Sequence, residues 1–143
     1  MSTMSLDTAS ENKTKMQYVM QELSKGNRVP FGELMADDFC WKMNGTTSWS
    51  GVYQGKDVVR QKLMAPLFSQ FADEYTNTAQ RFIAEDDFVV VECRGKVMTK
   101  LGKPYNNTYC YVCRFADGKL VELTEYLDTQ LVVDVLEEPE LES

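Results

Sequence analysis

Histidine is absent from all 143 residues. Without imidazole there is no Ser-His-Asp or Cys-His nucleophile, and no His-ligated zinc or non-haem iron site. Proton transfer is left to carboxylates, Tyr, Lys and Cys. Positive charge is also scarce, with 15 Lys and Arg against 22 Asp and Glu and a net charge of −7. A nucleic-acid footprint needs a basic stripe, so this balance argues against such a partner. No run reaches the ~18 apolar residues of a membrane span. Residues 1–11 have neither the basic lead nor the apolar stretch of a signal peptide. The chain also lacks a glycine-rich phosphate loop and a spaced carboxylate cluster, so neither a cofactor nor a metal is expected.

Cysteine is sparse and unpaired by pattern. Cys110 and Cys113 spell C-Y-V-C, but the segment around them, rich in Tyr, Thr, Val and Phe, reads as a strand. Residues three apart on a strand face opposite ways, about 10 Å apart, beyond disulfide reach. Cys40 and Cys93 supply no second C-x-x-C for zinc. Four free thiols and no export signal point to a cytoplasmic protein.

What remains is ordinary for one globular domain, with 43% hydrophobic and 26% charged residues. Residues 1–10 read as a leader, with Ser10 as N-cap of a first helix over 11–25 carrying Met16, Val19, Met20 and Leu23 on one stripe. Gly26-Asn27 stops it. Pro30 opens a short second helix to Ala36, and 39–43 is a strand with Phe39, Trp41 and Met43 on one face. After turns over 44–55, a third helix spans 56–71, kinked or split at Pro66. Four β runs follow, near 74–84, 87–99, 105–116 and 119–133, with Asp117-Gly118 as a hairpin signal. Glu137, Glu138, Glu140 and Glu142 mark 134–143 as an acidic tail. Helices followed by an antiparallel sheet make an α+β domain over 11–133.

Strand parity selects the buried face of that sheet. Val91, Cys93, Tyr109, Tyr111, Leu123 and Leu127 fall on the face that helices would cover, and Glu125 falls among them. Glu92, Arg94 and Lys96 fall on the other, as solvated charge.

The element order resembles that of a known family, as do several motifs: Ala36-Asp37-Asp38-Phe39, Gly51-x-Tyr53-x-Gly55-Lys56, Pro104-Tyr105-Asn106-Asn107-x-Tyr109 and Glu125-Tyr126-x-Asp128-Thr129. Over about 12–133 the chain is similar to the SnoaL-like branch of the NTF2-like superfamily, related to ketosteroid isomerase and limonene-epoxide hydrolase. The resemblance implies a cone, a strongly curved antiparallel sheet wrapped around three N-terminal helices, with an apolar pocket at its open end. It also implies a homodimer through the outer sheet face. Because this superfamily hosts isomerases, cyclases, dehydratases, binders and transport factors, function must be argued from the site.

Carried over position by position, the resemblance places the isomerases' base at Met43, which cannot take a proton. It places their oxyanion-hole acid at Tyr111, and the epoxide hydrolases' last-strand acid at Glu125. The hydrolases' Arg-x-Asp pair meets only Arg94-Gly95-Lys96, so a second acid is missing. The expected catalytic set is therefore Glu125, as a base raised in pKa by an apolar pocket, with Tyr109 or Tyr111 holding an enolate oxygen. Expected ligand contacts are Trp41, Met43, Trp49, Tyr53, Leu63 and Leu67, then Val91, Cys93, Asn107, Leu123 and Leu127. The reaction class would be cofactor-independent isomerase, cyclase or dehydratase chemistry on a small hydrophobic molecule. A non-catalytic binder and an interaction domain working through the outer sheet face are the rival readings. Asp128 is expected on the outer face, capping the strand end or joining an interface.

Overall fold

The computed structural model describes residues 6–139. Helix α1 spans Leu6–Leu23, beginning inside the expected leader, so Ser10 is no N-cap; its carbonyl accepts from the Thr14 hydroxyl one turn on. Residues 1–5 lie outside the described residues. Met16, Val19, Met20 and Leu23 are buried as one stripe against the sheet. Gly26, at φ +87°, ends the helix by donating to the Leu23 carbonyl while the Asn27 N–H reaches back to Glu22. This paired closure needs the left-handed conformation that glycine adopts freely.

Helix α2 (Val29–Leu34) has Pro30 in its first turn and stops two residues short of the expected Ala36, and β1 (Met35–Met43) begins directly after it, four residues before the expected Phe39. A short β2 (Gly51–Gln54) follows. The third helical segment is a composite of α3 (Lys56–Val58), a π-helical stretch (Val59–Met64) and α4 (Ala65–Phe68). The irregularity has a cause in Pro66. Proline has no N–H and crowds the preceding turn, and the wider π turn, with Ala65 donating to the Arg60 carbonyl, gives it room.

Strands β3 (Thr76–Glu85), β4 (Phe88–Lys96), β5 (Thr108–Ala116) and β6 (Lys119–Leu127) form a meander. The six-stranded sheet runs β2-β1-β6-β5-β4-β3. All neighbours are antiparallel except β1 and β6, a parallel pair that the expectation of an antiparallel sheet did not include. The β5–β6 turn is the expected Asp117-Gly118, both at positive φ, the geometry that matches strand twist in a two-residue hairpin. Register shifts at Ala79/Arg81 and Arg114/Phe115 mark bulges that curl the sheet around the helices. The second shift also brings Leu120 and Leu123 to the same inner face, both fully buried.

The last strand stops at Leu127, short of the expected 133, and of the expected acidic tail, residues 140–143 lie outside the described residues. Helix α5 (Thr129–Val135) starts at Asp128, whose Oδ1 accepts from the Leu131 N–H at 3.2 Å. Asp128 thus caps a helix. Val132 and Leu136 are buried, and the Glu137 backbone is held by the Trp49 indole and by Gln70. All four cysteines are free, and Cys110 and Cys113 lie on opposite sheet faces. No described helix is long and apolar enough to cross a membrane.

Candidate functional site

A cavity of about 230 Å³ opens between the inner sheet face and the helices. This is just under the roughly 300–1,000 Å³ typical of small-molecule sites. Its wall is mostly apolar: Phe31 and Met35 from the α2 region, Trp41 and Met43 from β1, Val59 and Leu63 from the π stretch, Val132 and Leu136 from the C-terminal helix. Trp41 is wedged between Phe31 and Tyr111, with ring centroids 6.1 and 5.9 Å away.

Glu125 projects from β6 into this wall, only 4% exposed. Its β1 partner in register is Met43, and two residues earlier on the same face of β1 the Trp41 indole N–H donates to its Oε1 at 3.0 Å. Burial raises its pKa to about 7, and the indole N–H offsets part of that rise. Burial penalises the ionised carboxyl because little around it replaces water. The group is therefore poised to hold or release a proton near neutrality.

A tyrosine cluster stands beside the carboxyl. Tyr109 and Tyr111 alternate inward on β5, their rings 5.3 Å apart, and Tyr75 and Tyr105 join them on the cavity wall. Burial pushes all four phenols above their usual range, so each stays neutral and can donate. Asn77 Nδ2 donates to the Tyr75 and Tyr111 oxygens at 3.1 and 3.3 Å, and Tyr75 is in turn hydrogen-bonded with Tyr109 and Tyr111, so the phenols form one network. Asn77 Oδ1 is buried without a hydrogen-bond partner. Gly95 makes the cluster possible. It pairs with Asn77 across β3 and β4, and a Cβ there would lie 2.9 Å from the Tyr75 oxygen and 3.1 Å from the Tyr109 ring.

Of the residues expected at the site, Glu125, Tyr109, Tyr111, Trp41, Met43, Trp49, Leu63 and Leu67 line the cavity together. Six others do not line it. Val91, Cys93 and Leu123 are packed in the core, although in register they stand level with Tyr111, Tyr109 and Trp41, whose larger side chains line the cavity. Leu127 packs half-buried at the end of β6. Tyr53 turns its hydroxyl to the Trp49 carbonyl at 2.5 Å. Asn107 is spent on structure: its amide donates to Tyr105 and the Asp128 carbonyl and accepts from the Asp128 N–H.

Sequence reasoning missed Tyr75, Asn77 and Tyr105, and the two arginines Arg28 and Arg60 that also line the cavity. The Tyr75-x-Asn77 alternation at the start of a strand was the available signal. The arginines come from a loop and a distorted helix, for which no periodicity exists. Among the described residues, no three Cys, Asp or Glu side chains gather as metal ligands.

Comparison with known proteins follows the same lines. The family model described as "SnoaL-like domain" matches residues 16–123. No curated protein matches the chain. Among solved structures, an NTF2-like protein from Burkholderia thailandensis superposes with a TM-score of 0.75 at 18% identity, covering 88% of this chain and 97% of that one. A candidate SnoaL-like polyketide cyclase from a Jannaschia species gives 0.73 at 17% identity, covering 92% and 95%. TerC, co-crystallised with polyporic acid, gives 0.73 at 16% identity, covering 87% and 97%. Identities this low establish the fold alone.

Proposed function

The chain belongs to the SnoaL-like domain family, and we propose that its cavity binds a largely apolar small molecule on which Glu125 moves a proton next to a carbonyl. The observation that carries the reading is the state of Glu125: a buried carboxyl on the cavity wall, given a single protein donor, with a pKa raised to about 7. A carboxylate in that setting takes a proton from carbon more readily than a hydrated one, because desolvation weakens its ionised form. As the proton leaves, charge develops on the carbonyl oxygen, and neutral phenols within the same wall donate to it. Tyr111 and Tyr109 are the proposed donors, with Asn77 orienting Tyr111. The reaction class is cofactor-independent isomerisation, cyclisation or dehydration. The polyketide-cyclase assignment of the Jannaschia neighbour and the polyporic acid held by TerC support a cyclic carbonyl compound as ligand.

A homodimer through the outer sheet face and a cytoplasmic location belong to this proposal. The outer face carries Tyr126, 46% exposed, beside the Lys42–Glu122 and Arg81–Glu92 ion pairs, and the four thiols are free.

The test is Glu125→Gln, assayed on ketone, epoxide and polyketide-like substrates. Turnover is expected to vanish while ligand affinity stays within a few-fold. Unchanged turnover removes Glu125 as the base. Ligand-dependent thermal stabilisation with no product from any substrate returns the non-catalytic binder as the better account.

A further inference from the structure

Apart from Glu125, the charged residues lining the cavity are Arg28 and Arg60. In a chain of net charge −7, a rim without a carboxylate of its own is unexpected. Both arginines are exposed while lining the cavity, which places them at its mouth rather than its floor. Arg28 lies in the connection between α1 and α2, with its guanidinium carbon 3.9 Å from the centroid of the Phe68 ring. Stacking uses the flat face of the guanidinium and leaves the N–H donors on its edge for a planar acceptor. Among the described residues Arg28 makes no ion pair, although Asp73 and Glu74 share a neighbouring surface hollow with it. Arg60 stands 3.9 Å from Asp57, with side chains 65% and 87% exposed. Such a contact is worth little and is easily exchanged for a better one.

We infer that the molecule this cavity accepts carries a carboxylate, held at the mouth by Arg28 and Arg60 while its apolar body enters. The inference rests on the cavity being a ligand site, and it names the substrate class: an amphipathic acid, not a neutral hydrocarbon or ketone. The arrangement also fixes direction. A carboxylate is cheapest to hold at the wet rim, where guanidinium donors replace part of its hydration. It is disfavoured at the floor, where Glu125 sits. The end of the ligand remote from its acid is therefore the end delivered to Glu125 and the tyrosines.

The test uses three matched pairs differing only in charge: benzoate and benzamide, 2-naphthoate and 2-naphthamide, anthracene-2-carboxylate and its amide. Binding to the full chain is measured by titration calorimetry at low salt. The acid of a pair is expected to bind at least about tenfold more tightly than its amide, with the preference shrinking as salt screens the rim. In the Arg28→Gln/Arg60→Gln double variant the preference should fall to about parity. Because each ratio is taken within one protein, any loss of packing on Phe68 cancels. Lys96→Gln, on the outer face of β4, should leave the ratio unchanged. Amides that bind as tightly as acids, or a preference that survives the double variant, would overturn the inference while leaving the ligand site intact. Failure of every pair to bind would overturn the ligand site itself, and this inference with it.

Discussion

Replacing Glu125 by Gln should stabilise the folded protein in alkaline solution, by an amount set by the carboxyl's own titration. In the fold its pKa is about 7, against an ordinary value of 4.5. Below 4.5 the acid is neutral in both folded and unfolded chains, and burying it carries no ionisation penalty. Between 4.5 and about 7 the unfolded chain has released the proton that the folded chain still holds, so stability falls as pH rises. Above about 7 the loss is complete and flat. At about 1.4 kcal/mol per pH unit, the interval amounts to about 3 kcal/mol. Gln mimics the neutral acid in shape and can still accept from the Trp41 indole. The variant should therefore match the parent near pH 4 and exceed it by about 3 kcal/mol near pH 9, roughly 10 °C in Tm for a chain of this size. Urea unfolding of both proteins across that range reads the difference directly, and the effect of pH on every other group cancels. A difference independent of pH, or one that grows on acidification, would refute the buried-acid account.

Two further predictions concern the surroundings of this carboxyl. Trp41→Phe removes the N–H that lowers the Glu125 pKa, so the midpoint of the pH–activity profile should move above about 7, with activity lost at neutrality and recovered at higher pH; an unmoved midpoint would show that the indole does not tune the acid. Gly95→Ala places a Cβ 2.9 Å from the Tyr75 oxygen and 3.0 Å from its ring. It should cost about 1–3 kcal/mol as the overpacked tyrosines shift, together with a changed near-ultraviolet tyrosine signal; an unchanged Tm would show that the cluster has slack.

The parts of the molecule legible from sequence were those governed by period and parity. The apolar stripe of α1, the inward faces of β4 and β5 and the Asp117-Gly118 hairpin follow from local geometry that tertiary packing only had to accept. Glu125 was legible for the same reason, since alternation put a carboxylate on an apolar face. The misses have physical causes. Helix α5 hid behind β-branched Val132 and Val133, which suit a strand, although Asp128 as N-cap and Leu131, Val132, Val135 and Leu136 at helical spacing argued otherwise. The parallel β1–β6 pairing joins two strands distant in sequence within the sheet, and no hairpin signal can announce that. Cys93 and Leu123 were assigned to the pocket because parity reports which face a residue is on, not whether larger neighbours such as Tyr109 and Trp41 take the wall in its place.

The missing histidine and the missing second acid can now be weighed together. Hydrolysis of an epoxide asks for one group to activate water and another to protonate the leaving oxygen at the same moment. Among the described residues, Glu125 is the one carboxyl on the cavity wall. A single group suits a different sequence of events, in which it takes a proton from one carbon as a carboxylate and returns it elsewhere as a neutral acid. That cycle needs comparable populations of both forms, which an ordinary carboxyl at 4.5 does not offer in neutral water and a pKa near 7 does. The neutral phenols of Tyr109 and Tyr111 complement it without competing for the proton, because burial holds them far from ionisation. The proposed chemistry narrows accordingly to reactions that conserve the migrating proton, and among the three classes named, isomerisation and cyclisation fit more closely than dehydration, which must also protonate a departing hydroxyl.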